Sequence, residues 1–120
     1  MQCTDCVLTM KLSEFINALG LKVLTKSEYD DREITGGYAG DLLSWVMGRA
    51  QSGNVWITIM SNINIVAVAA LTDATCILLS EGVVPEQEVI DKANAQDVVI
   101  LSSELSTYEL ACKLHEISGV

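Results

Sequence analysis

The sequence predicts one α/β domain of three layers, with a mostly parallel sheet flanked by about five helices. Three observations carry that prediction. Segments 55–60, 74–79 and 98–101 are continuous apolar runs rich in Val, Ile and Leu, the pattern of strands covered on both faces and hence of a parallel sheet. Helical patterns alternate with these runs, as crossovers between parallel strands require. A chain of 120 residues, half of them hydrophobic and with a single proline, fits one core with no linker.

The elements follow in order. Leu12, Phe15, Ile16 and Leu19 fall on one face of a helix over 13–19, and Gly20 is placed to stop it. Leu21–Leu24 reads as a short strand, Lys26–Arg32 as a polar loop, and Glu33–Tyr38 as a strand entering a glycine turn. Asp41 is placed to cap a second helix over 42–47. A strand over 55–60 leads to Ser61 or Asn62 as cap of a third helix, Ile63–Leu71. That helix is apolar nearly all round, so it must be buried, and its alanines allow close packing on a sheet or a partner. After the strand 74–79 comes the turn Ser80-Glu81-Gly82, and Pro85 is expected at the first position of a fourth helix ending near Ala95. The strand 98–101 precedes a capping box, Ser106-Thr107-Tyr108-Glu109, with Leu105 and Leu110 as its staple. A fifth helix then runs to Ile117.

Charge excludes several functions. The net charge is −9 and the 7 basic residues are scattered. No basic stripe can neutralise phosphates, so neither nucleic acid nor an acidic membrane is an expected partner. The longest apolar run is too short to span a bilayer. No basic segment followed by an apolar one marks a secretory signal, so a cytoplasmic location is expected.

Thr35-Gly36-Gly37-Tyr38-Ala39-Gly40-Asp41 is the most site-like stretch, because closely spaced glycines let a backbone approach a ligand. No Walker A loop or GxGxxG is present, and Asp41 would repel a phosphate. In a parallel sheet, ligands gather beyond the C-terminal strand ends. Gly36, Gly37, Tyr38, Gly40, Asp41, Ser61, Asn62, Asn64, Glu81 and Gly82 are therefore the expected ligand or partner contacts, with Ser102, Ser103 and Glu104 beside them.

No catalytic residue or cofactor is assigned. His115, the one histidine, has no nucleophile pairable with it, and Asp30, Asp31, Glu33 and Asp41 form an acidic cluster that reads as a solvated face. Cys3 and Cys6 form a CxxC that lacks the second pair a zinc site needs. Residues 1–9 are expected to be a disordered leader, while Cys76 and Cys112 are expected to pack as small hydrophobes.

From Met10 to Val120 the order of motifs resembles the DRTGG domain family in its small stand-alone form. The resemblance rests on Lys11-Leu12-Ser13-Glu14, on Gly37 to Ser44, on Trp56-Ile57-Thr58-Ile59, on Asn64 to Ala69 and on Glu81-Gly82-Val83-Val84-Pro85. It implies a fold like the N-terminal domain of HPr kinase/phosphorylase, with regulatory and self-associating behaviour. It also implies a setting near hydrogenase and redox-signalling proteins in anaerobic metabolism. Enzyme-attached members carry a Gly-Asp-Arg-like turn where this chain has Ser61-Asn62-Ile63-Asn64. Asp31-Arg32-Glu33-Ile34-Thr35-Gly36-Gly37 contains the family's letters with two residues inserted, and no role is read from it. Without a P-loop, the kinase activity of some relatives does not transfer.

The expected function is a non-catalytic regulatory module that forms a homodimer and senses a small ligand, a nucleotide or a metabolite. One alternative is a thiol redox or iron-sulfur accessory protein using Cys3 and Cys6, with a redox or signalling protein as partner. A phosphoryl- or acyl-transfer enzyme is the third reading, against which the missing nucleophile–base set counts.

Overall fold

The computed structural model describes residues 10–119. In chain order the elements are β1 (Met10–Lys11), α1 (Leu12–Leu19), β2 (Lys22–Val23), β3 (Glu33–Ile34), β4 (Gly36–Ala39) and α2 (Leu43–Arg49). They continue with β5 (Asn54–Thr58), α3 (Asn64–Thr72), β6 (Cys76–Leu79), α4 (Gln87–Ala95), β7 (Ile100–Ser102) and α5 (Thr107–Ser118). The main sheet has the order β2-β7-β6-β5-β4. β4 to β7 are parallel, with Gly37 beside Val55, Trp56 beside Ile77 and Leu78 beside Leu101. β2 closes one edge antiparallel to β7, so the sheet is mostly parallel, as the sequence predicts.

Successive strand residues point to opposite faces, and that alternation builds two cores. Val55, Ile57, Cys76, Leu78 and Leu101 face α1 and α5, meeting Leu12, Phe15, Leu110 and Leu114. Trp56, Ile77, Leu79 and Ile100 face α2, α3 and α4, meeting Val46, Ile65, Val66, Val89 and Ala93. Helices therefore cover both sheet faces, giving the predicted three layers. Gly20 ends α1 in the left-handed conformation, with φ +62°. The α5 capping box forms as read: Ser106 Oγ accepts the Glu109 N–H at 3.1 Å, and Glu109 Oε1 accepts the Ser106 N–H at 3.3 Å.

Several expectations need correction. Gly36 and Gly37, expected as ligand contacts, lie in β4, paired to β5. A Cβ on Gly37 would come within 2.6 Å of the Leu114 side chain, so the bare strand is what lets α5 pack down. The predicted strand 33–38 is two strands, because Glu33–Ile34 pairs with β1 in a separate small sheet. Thr35 marks the break, with its N–H on Gly53 O and its hydroxyl on Ser52 O. β5 ends at Thr58, since the next N–H, that of Ile59, goes to the Asp41 carboxylate instead of the ladder. β7 starts late because the Val98 N–H turns back to Ala93 O of α4. Glu86, still extended, is the N-cap of α4, which places Pro85 before the helix and not at its first position.

The prediction that α3 is wholly buried also fails. Ile65, Val66, Val68, Ala69 and Thr72 are covered, but Ala67, Ala70 and Leu71 face outward. Cys112 likewise is exposed on α5 and does not pack in the core.

Candidate functional site

Because β4 to β7 are parallel, their C-terminal ends form one rim, carrying Gly40-Asp41, Ile59 to Asn62, Ser80 to Gly82 and Ser103 to Leu105. This rim is where the sequence places the ligand, and the Asp41 carboxylate, the Gly40 backbone and the Glu81 and Gly82 N–H groups are engaged within the chain. Asp41 does not cap α2. Its Oδ1 accepts from Thr58 Oγ1 at 2.7 Å and from the Ile59 N–H at 3.0 Å. The Gly40 carbonyl accepts the indole N–H of buried Trp56 at 2.9 Å, while its N–H goes to Ile57 O. Gly40 and Asp41 therefore clasp the ends of β4 and β5 together.

The turn after β6 is equally committed. Glu81 and Gly82 are both left-handed, with φ +60° and +71°, a conformation in which successive N–H groups can form an anion nest. Here those N–H groups donate to Leu105 O and Ser103 O. Ser80 and Thr107 share a hydroxyl hydrogen bond of 2.7 Å. At the start of α3, Asn62 Oδ1 takes the Asn64 N–H at 2.9 Å, although Ile63, and neither Ser61 nor Asn62, stands at the N-cap position. Ser61 is half-buried beside it. Gly36 and Gly37 stand at the opposite end of β4 and do not join this rim. Gly37 and Tyr38 instead line a small hollow of about 230 Å³ between β4 and α5, with Ala111 and Leu114.

The other sequence candidates disperse. Asp31 and Asp41 of the acidic cluster bind different elements, and no group of three His, Cys, Asp or Glu residues among the described residues could hold a metal ion. His115 is exposed on α5. Burial pushes the Cys76 thiol up to about 12, which keeps it protonated and inert. Cys3 and Cys6 lie outside the described residues.

The larger concavity is at the other end of the sheet. A groove of about 530 Å³ is lined by Thr25, Lys26, Glu28, Tyr29, Asp30, Arg32, Asp97, Val98 and Val99, within the size range of small-molecule sites. β2 leaves β7 here: Leu24 N–H bonds Ile100 O, and Thr25 Oγ1 takes the Ile100 N–H at 3.1 Å. The chain then loops over the ends of α3 and α4, and two aspartates hold it there. Asp73 and Asp97 follow those helices in the left-handed conformation, with φ +58° and +57°. Lys26 Nζ reaches Asp97 Oδ1 at 2.9 Å. Arg32 reaches both Asp73 carboxylate oxygens at 3.0 Å, and also the Asp73 and Ala74 carbonyls.

The electrostatics of the groove follow from these pairs. Its own charges are two bases and three acids, with both bases in ion pairs. Hydrogen bonds from Ser52 and Arg32 hold Asp73 below the ordinary carboxylate range, Ser52 contributing most. Burial, with the Asp31 charge behind it, raises the Tyr29 phenol, which stays a neutral donor. Asp31 closes the loop from behind, taking the Ser13 N–H and hydroxyl at 2.8 and 2.7 Å and so capping α1 from a distance.

Sequence reading missed this groove. The available signal was the pair of aspartates directly after two helices, where the negative helix end and a carboxylate together call for cations. Lys26 and Arg32 are the bases the intervening loop offers. Asp31 and Arg32, given no role from the sequence, hold α1 and α3 respectively.

The chain matches the family model of the DRTGG domain over residues 14–117. No curated protein matches its sequence. Among solved structures it is similar to the CBS and DRTGG domains of the regulatory region of Clostridium perfringens pyrophosphatase, complexed with the activator diadenosine tetraphosphate. The TM-score is 0.65 at 11% identity, over 84% of this chain and 44% of that one. The likeness is one of fold, and this chain spans less than half of that region's length. No helix among the described residues is long and apolar enough to cross a membrane.

Proposed function

The chain belongs to the DRTGG domain family, and from that premise we propose that it is a non-catalytic regulatory module that binds a nucleotide in the groove between the 25–32 loop and β7, and that works as a homodimer. The observation that carries this reading is the position of Arg32. It lines the groove and at the same time holds Asp73 at the end of α3. A ligand phosphate competing for Arg32 would loosen α3, so occupancy would be felt outside the groove. The half-buried Tyr29 ring, with Val98 and Val99, offers a surface for a flat base. Asp30 and Asp97 suit ribose hydroxyls as acceptors. The diadenosine tetraphosphate bound by the similar pyrophosphatase region supports the nucleotide class. The setting in anaerobic, hydrogenase-linked metabolism is supported by the family resemblance alone.

Thermal unfolding tests the proposal, since a ligand that binds the native state raises the melting temperature; at 100 times its Kd it adds about 2.7 kcal/mol. AMP, ADP, ATP and diadenosine tetraphosphate are the probes. A rise with at least one of them, lost in Tyr29→Ala and Lys26→Ala, is expected. The Lys26–Asp97 pair is exposed, so its loss alone costs less than about 1 kcal/mol. No rise with any of the four overturns the nucleotide reading.

A further inference from the structure

We propose that two copies of this chain meet through the outward faces of α2 and α3, along Leu42, Trp45, Ile63, Ala67, Ala70 and Leu71. The inference rests on the self-association in the reading above and names its surface. Of these, Leu42 is 60% exposed, Trp45 54% and Leu71 73%. The Asp41 carboxylate on the Ile59 N–H brings the start of α2 beside the approach to α3, and the two helices pack side by side. Grouped exposure of large apolar side chains marks an interaction surface.

Charge selects a second copy as the occupant. The stretch from Ile34 to Thr72 holds one acid, Asp41, and one base, Arg49, and so contributes nothing to the net charge of −9. Two such copies repel each other over most of their surfaces, and least where both are neutral. A two-fold axis presents the same patch from each copy, so neutrality on both sides is guaranteed only for self-association. A basic partner would instead be drawn to the acidic remainder. Neighbouring α4, with Glu86, Glu88 and Asp91, supplies the polar rim that interfaces carry. Arg49 lies 4.0 Å over the Trp45 ring, which pins the indole on the surface as an anchor residue.

The helix composition points the same way. A helix apolar on every side is a buried helix, yet the sheet covers only one side of α3. Ala67 and Ala70 let a second helix approach closely. A stable dimer buries about 800 Å² per partner, roughly an eighth of the 6703 Å² that this chain exposes. Leu71 stands two residues from Asp73, so groove and interface share the end of α3.

Light scattering on size-exclusion fractions near 50 μM tests this, with circular dichroism confirming the fold. The native chain is expected at twice its 13.0 kDa mass. Leu71→Asp and Ala67→Glu, both at exposed sites, are expected to weaken the dimer at least 100-fold and to run as monomers with unchanged dichroism. Tyr108→Asp on α5, at a residue 78% exposed, should leave the dimer intact. A dimer that persists in both α3 variants overturns the surface and leaves self-association standing. A native chain at 13.0 kDa overturns both.

Discussion

Arg32 meets Asp73 fork to fork, Nη1 to Oδ1 and Nη2 to Oδ2, each at 3.0 Å. The same guanidinium bonds the carbonyls of Asp73 and Ala74, and Ser52 Oγ donates to the second carboxylate oxygen at 2.5 Å. One side chain thus fastens the loop from 25 to 32 to the junction of α3 and β6. A lysine has no planar fork and cannot make these four bonds together. Arg32→Lys should lower stability by about 1 kcal/mol, or about 4 °C in melting temperature for a domain of this size, and Arg32→Ala by at least as much. A thermal melt at neutral pH checks both.

Asp41 is a clasp through its oxygen and not through its charge, since both its partners are donors, Thr58 Oγ1 and the Ile59 N–H. An asparagine keeps that acceptor. Asp41→Asn should therefore melt within a few degrees of the native chain, while Asp41→Ala, which strands the buried Thr58 hydroxyl, should lose about 1–3 kcal/mol. Equal losses in the two variants would argue for the charge instead.

Gly53 holds φ +84°, and a Cβ there would come within 2.6 Å of Thr35 Cγ2 and 2.7 Å of Thr35 Oγ1. Gly20, at φ +62°, has nothing within 4 Å of the same imagined atom. Gly20→Ala should cost the left-handed penalty alone, about 1–2 kcal/mol. Gly53→Ala should cost more, because Thr35 cannot retreat without breaking its bonds to Ser52 and Gly53. Urea melts of the two variants rank them, with Gly53→Ala expected to have the lower midpoint.

Acid should weaken the fold through two carboxylates. Hydrogen bonds from the Ser13 hydroxyl first, and then its N–H, hold Asp31 below its ordinary value, and Asp73 is lowered by Ser52 and Arg32. A carboxyl whose folded pKa lies below its unfolded one stabilises fully above the unfolded value, near 4, and loses that stability as pH falls through the folded value. The melting temperature should hold between pH 7 and 5 and drop below about pH 4. Asp31→Asn should flatten part of that drop.

The fold was legible because its signals are local. Val55 to Thr58 and Cys76 to Leu79 are buried on both faces and announce themselves as apolar runs. Gly20 and the Ser106–Glu109 box act within a turn of their own helices. The candidate site was not legible, because its bonds are long-range: Lys26 to Asp97 and Arg32 to Asp73 join residues 71 and 41 positions apart. The glycine stretch misled for a related reason. Gly37 is bare for the sake of Leu114, a contact that no local pattern encodes, and so a packing position reads as a ligand contact. Asp41 sits where a helix cap belongs, and only the neighbouring strand end reveals what its carboxylate holds.

The central claim is that this domain receives a nucleotide at the groove and not at the C-terminal rim of its sheet. Amide chemical-shift mapping of the uniformly ¹⁵N-labelled chain during titration with AMP and with diadenosine tetraphosphate tests it most directly. The account predicts saturable shifts concentrated at Thr25 to Arg32, at Asp73 and at Asp97 to Val99. Shifts centred instead on Asp41, Asn62 and Glu81, or no shifts with either compound, would contradict it.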